Sequence, residues 1–167
     1  MFVQFVDAAR LQIDPASIVS RGPPKPDIEF ILSGSRGFAE LVEVTDPYLA
    51  RRHSMSLKQH KITGGCFSQV VPLVYAFRSK SQKTYATDGA PLMLLAYYDK
   101  QYPADSVDPD LIPREVGGVA ADMVASGVWA MTWVYDSWRK RVLWVYPEPV
   151  REVWLAPPNT RMEPTRG

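Results

Sequence analysis

The stretch Leu92-Met93-Leu94-Leu95-Ala96-Tyr97-Tyr98 is apolar at both parities, and no other segment restricts the fold as much. Successive side chains of a strand point to opposite faces, so a run of this kind has two faces to bury. It belongs inside a sheet covered on both sides. Helical patterns elsewhere supply the covering layers of an α/β fold. Residues 2 to 12 fit either a helix or a strand, and Phe2, Phe5, Val6, Ala9 and Ile13, nearer to helical spacing, favour a first helix. Ser68 reads as the N-cap of a second, running to about Lys83, with Val70, Val71, Val74 and Phe77 as its apolar stripe and Pro72 tolerated in the first turn. A third spans about Leu111 to Ala125 and stops at Ser126-Gly127. Strand, helix, strand in this order returns parallel. Val128 to Tyr135 and Arg141 to Tyr146 then pair as a hairpin, both rich in the aromatic residues that sheets favour.

A chain of 167 residues is expected to form one domain, over residues 1 to 150, with a surface or disordered tail over 151 to 167. No apolar run is long enough to cross a bilayer, and the amino-terminal residues lack the basic-then-apolar order of a secretory signal. The single cysteine, Cys66, has no partner for an internal disulfide, and no Cys/His cluster has zinc spacing. A reducing, cytoplasmic setting with no membrane partner is the expectation.

Two acidic stretches precede the buried strand. Pro26-Asp27-Ile28-Glu29-Phe30 and Glu40-Leu41-Val42-Glu43-Val44-Thr45-Asp46 each read as a strand, joined by a turn at Ser33-Gly34-Ser35-Arg36-Gly37. Period 2 puts Asp27 with Glu29 on one face of the first, and Glu43 with Thr45 on one face of the second. Matching faces would gather ligands for a divalent cation. Arg21-Gly22-Pro23-Pro24-Lys25-Pro26 forms an extended lead-in, and Asp14-Pro15 caps a short turn before it. Between Asp46 and Asp88 there is no acidic residue, while Arg51, Arg52, Lys58, Lys61, Arg78, Lys80 and Lys83 fall there. Net charge is only +1, so this local excess, rather than global charge, could draw a polyanion toward the acids. The plainer reading is solvated helix faces.

The order helix, acidic hairpin, helix, buried strand, with Pro26-Asp27 on one strand and Glu43-Val44-Thr45 on the next, resembles the PD-(D/E)xK nuclease superfamily. The branch it resembles most has threonine in place of the motif lysine. The resemblance covers roughly residues 14 to 147 and implies a restriction-endonuclease-like core, a mixed central sheet flanked by helices. It further implies Mg²⁺ or Mn²⁺ held by Asp27, Glu43 and the backbone carbonyl of Val44, and phosphodiester hydrolysis in DNA. Hard cations take oxygen ligands and keep waters, which suits that set. Glu29 or Glu40 could add a ligand or a base, with Glu29 favoured because strict alternation turns Glu40 away from Glu43. Thr45 occupies the lysine position, so Lys58 or Lys61 would have to reach in, and Arg51, Arg52, Lys58 and Lys61 would contact phosphates. The alternative is a nucleic-acid- or protein-binding module that kept the fold without cleavage.

Remaining features carry less. His53 and His60 read as surface residues, and Cys66 has no paired histidine for nucleophilic work. Most of the tryptophans read as sheet packing, with Trp138, beside Arg139, Lys140 and Arg141, as the one plausible exposed contact. Those aromatics leave a homodimer open. The closing residues Asn159 to Gly167 resemble the translated edge of an integron recombination site, implying a bacterial gene-cassette origin.

Overall fold

The computed structural model describes residues 1–45, 70–100, 107–150 and 154–155. Among them one mixed sheet holds β1 (Val19–Ser20), β2 (Ile28–Leu32), β3 (Ser35–Glu43), β4 (Leu92–Tyr98), β5 (Trp129–Asp136) and β6 (Arg141–Tyr146), each beside its neighbour in sequence. β1, β2 and β3 form an antiparallel meander; β3, β4 and β5 run parallel; β6 returns antiparallel. Helices α1 (Phe2–Ala9), α2 (Val70–Ser81) and α3 (Ile112–Ala125) flank it. The architecture is α/β.

β4 shows why. Leu92, Leu94, Ala96 and Tyr98 enter one core, together with Leu73 and Phe77 of α2 and Ile112, Val116, Ala120 and Met123 of α3. Met93 and Leu95 enter the other, beneath Phe2, Phe5 and Val6 of α1 and beside Phe30, Met131 and Trp133. Each buried leucine contributes roughly 1.5–3 kcal/mol, so the strand holds both layers to the sheet.

Local signals set the boundaries. Arg10, left-handed at φ 53°, ends α1 and donates its N–H to Asp7 O at 3.2 Å. This stops the helix at Ala9, short of the expected residue 12. Asp14 caps the 3-10 turn Pro15–Ser17 through Ala16 N at 2.9 Å. The expected stripe on α2 is shifted: Val71 is exposed, and Pro72, Leu73, Ala76 and Phe77 face inward. The proline lead-in folds into a turn, with Lys25 N donating to Gly22 O at 3.2 Å, rather than staying extended. The proposed cap at Ser68 lies outside the described residues. Trp154 and Leu155 dock on the α1 side, where Gln12 N donates to Trp154 O at 2.7 Å and Leu11 bridges Leu155, so this part of the expected surface tail joins the domain.

The hairpin between β2 and β3 turns on two residues. Ser33 and Gly34 have φ 49° and 79°, the left-handed pair that matches strand twist in a two-residue loop. β3 therefore begins at Ser35, five residues before the expected strand, and the register runs from Leu32↔Ser35 to Ile28↔Ala39. Gly37 lies flat under Phe30, where a Cβ would come within 2.7 Å of the ring.

Candidate functional site

Counting one step past Ile28↔Ala39 sets Asp27 opposite Glu40. Residues opposite one another in an antiparallel pair share a face, so this turn brings Glu40, rather than Glu43, to Asp27. Glu29 pairs with Phe38, which belongs to the α2/α3 core, and parity puts Asp27 and Glu40 on that same face.

Pro26 explains what Asp27 does there. Phe38 and Val44 send their N–H groups toward β4, to Pro91 O at 2.9 Å and Tyr97 O at 2.8 Å. By alternation Leu41 presents its N–H and C=O to the β2 side, where the opposing position in register is Pro26. Proline has no N–H, so it offers the Leu41 carbonyl no ladder bond. The Asp27 carboxylate takes the Leu41 N–H instead, through Oδ2 at 2.8 Å. Proline and aspartate thus end the ladder, leaving a backbone carbonyl and a carboxylate facing the same gap.

Lys80 completes the corner. It stands in the last turn of α2, where a cation suits the helix dipole, and its ammonium pairs with Glu40 Oε1. The two side chains are 13% and 6% exposed. Tyr85 follows, its ring edge-on to Trp129 at 5.5 Å. Its hydroxyl is buried without a hydrogen bond of good geometry. Burial first, then the Glu40 and Asp27 carboxylates, push its ionisation far up, so it stays a neutral hydroxyl. Two carboxylates, an ammonium and a phenol therefore meet at the β2–β3 side of the sheet, level with Leu94, the third residue of β4.

The other anticipated residues lie apart from this corner. Glu29 pairs with Arg21 at 2.9 Å and Lys25 at 4.0 Å. Glu43 sits exposed at the last position of β3, on the α1 side of the sheet with Leu41. Partial burial, then the charge of Asp99, hold its carboxyl above the usual range. Val44 is buried, and Thr45 follows it half-buried beyond the strand. Asp27 and Glu43 are thus not gathered on one face, because a three-residue offset along β3 reverses parity. Lys58, Lys61, Arg51 and Arg52 lie outside the described residues.

Glu40 was within reach of the sequence, and Lys80 was not. Reading Ser33-Gly34 alone as the loop gives the Asp27–Glu40 pairing by counting. Lys80 gives no local signal beyond its place at a helix end. Among the described residues no group of three or more His, Cys, Asp or Glu is arranged to hold a metal ion. No family model, curated protein or solved structure matches the chain. Among the described residues no helix is long and apolar enough to cross a membrane.

Proposed function

We propose that the chain is a metal-dependent phosphodiesterase acting on DNA, with a PD-(D/E)xK-like core in which Asp27 and Glu40 are the acids and Lys80 is the motif lysine relocated to α2. The observation that carries this reading is the Asp27–Glu40–Lys80 corner, built on a Pro-Asp strand entry that leaves the Leu41 carbonyl without a ladder donor. The chain order of helix, antiparallel meander, helix and parallel strand supports it as well.

The donors suit Mg²⁺ or Mn²⁺. Asp27 uses Oδ2 for Leu41 and Glu40 uses Oε1 for Lys80, so each keeps a second oxygen, and the Leu41 carbonyl is a third hard donor. Magnesium keeps several waters and needs no cage of three acids. Bound there, the metal supplies charge neutralisation at the phosphate and a more acidic water. The Leu41 N–H fixes the Asp27 carboxylate, and Lys80 carries the positive charge that a threonine at position 45 cannot. The Tyr85 hydroxyl, held protonated, donates a hydrogen bond to an anionic oxygen that enters beside Glu40.

One observation favours the second reading, a binding module without cleavage: Glu40 is already neutralised by Lys80. Thermal unfolding with Mn²⁺ or EDTA separates the two, because a ligand of the native state raises Tm by mass action. Metal should raise Tm in wild type and Glu43→Gln, and the rise should vanish in Glu40→Gln and Asp27→Asn. No rise in wild type at millimolar metal would sink the catalytic reading.

A further inference from the structure

The turn between β5 and β6 lies at the end where the parallel strands β3, β4 and β5 finish, four steps along the sheet from the level of Glu40, Leu94 and Thr132. Asp136 is level with Tyr98, one step beyond the Glu43↔Tyr97 pair. At about 4.8 Å between strands and 3.3 Å per residue, the tip stands roughly 20 Å from Glu40.

Its side chains are arranged rather than loose. Asp136 is fully buried and accepts from Arg139 N at 3.1 Å. Its other oxygen faces Arg139 Nη1 at 3.4 Å and Arg141 Nε at 3.5 Å. One buried carboxylate thus steadies two guanidinium groups whose side chains remain 39% and 51% exposed. Trp138, next to Arg139 in the turn, is 52% exposed, and Lys100 Nζ lies 4.9 Å from its ring centroid. Lys140 adds a further exposed cation from a left-handed position, φ 54°. Against Lys100, Arg139, Lys140 and Arg141 stand Asp136 and the half-buried Asp99.

We infer that this hairpin tip is a docking surface for single-stranded DNA, with a base stacked on Trp138 and flanking phosphates on Lys140, Lys100 and the two arginines. An exposed indole among cations matches the alternation of π-face and phosphate along a single strand, and stacking tolerates any base. Guanidinium groups already ordered by Asp136 lose less freedom when a phosphate arrives. A membrane surface would want a broader apolar face than one indole. The inference rests on DNA as the ligand of the Asp27–Glu40 corner, and it extends the proposed function by naming where the strand is held away from the acids.

The test is binding of the full chain to a labelled oligothymidylate in EDTA, by fluorescence anisotropy over a salt series. Trp138→Ala should weaken binding about tenfold, the lower range for loss of one stacked base. Lys140→Gly, which suits the left-handed backbone, should flatten the slope of log K against log salt by about 0.7, the loss of one phosphate contact on a single strand. Neither change touches the Asp136 pairs. Wild-type affinity in both variants would overturn the inference, as would absence of oligothymidylate binding in wild type or retention on phosphatidylserine vesicles alone. Metal-dependent cleavage indifferent to both variants would sink the tip and spare the catalytic corner; tip-dependent binding without cleavage would do the reverse.

Discussion

Replacing Lys80 by methionine leaves the Glu40 carboxylate, 6% exposed, without its cation at the end of α2. Removing one partner of a buried pair costs about 3–5 kcal/mol, because the remaining charge keeps its desolvation penalty and loses the attraction that offset it. For 167 residues at about 2.1 cal/mol/K each, the unfolding entropy is about 0.35 kcal/mol/K, so Tm should fall by about 9–14 °C. Glu40→Gln should cost less, since lysine can swing its ammonium toward water along a flexible stem. The double variant should therefore be more stable than Lys80→Met alone, with a coupling of about 2 kcal/mol or more in the cycle. Calorimetry of the four proteins at neutral pH measures all terms. A fall under about 3 °C for Lys80→Met, or additive effects, would refute the idea that this lysine is the partner of a desolvated acid.

Three further outcomes follow from neighbouring groups. Tyr85→Phe removes a buried hydroxyl that lacks a good hydrogen bond, so denaturant unfolding should show no loss, or a gain of up to about 1 kcal/mol; a loss above that size would mean the hydroxyl is bonded to Glu40. Gly37→Ala sets a Cβ 2.7 Å from the Phe30 ring, which is 1% exposed, and should cost about 1–3 kcal/mol as the ring moves. Glu43 holds its proton more tightly folded than unfolded, through partial burial and then Asp99, so its ionised form opposes folding. That benefit of protonation is complete below the ordinary value of 4.5 and is lost as pH rises through the higher folded value. Glu43→Gln should therefore raise Tm modestly at pH 7, and the gain should disappear below about pH 4.5.

Much of the layer structure was legible because it follows from parity. Leu92 to Tyr98 could only be a two-faced strand, and the helices on either side had periodic patterns or clear stops such as Gly127 at φ 74°. The candidate site was harder, because strand pairing multiplies small errors: reading the loop as five residues instead of two moved the partner of Asp27 along β3. A five-residue loop sets Glu43 opposite Asp27, although the observed register places Glu43 across the sheet. Lys80 is contributed by a helix 40 positions along the chain from Glu40, and no local pattern announces such a contact. Asp136 was hidden for a similar reason, since a turn aspartate looks solvated until Arg139 and Arg141 close over it. Short β1 has too few residues for any pattern.

The most direct measurement is cleavage of single- and double-stranded DNA in Mg²⁺ or Mn²⁺ by wild type, Glu40→Gln and Glu43→Gln, each first shown to be folded. Wild type and Glu43→Gln should cut, and Glu40→Gln should lose about a hundredfold or more, the scale on which removing a charge-stabilising group lowers a rate. Cleavage that persists in Glu40→Gln and fails in Glu43→Gln would move the site to the other face of the sheet. Absence of cleavage by wild type with either metal would contradict the assignment of a phosphodiesterase.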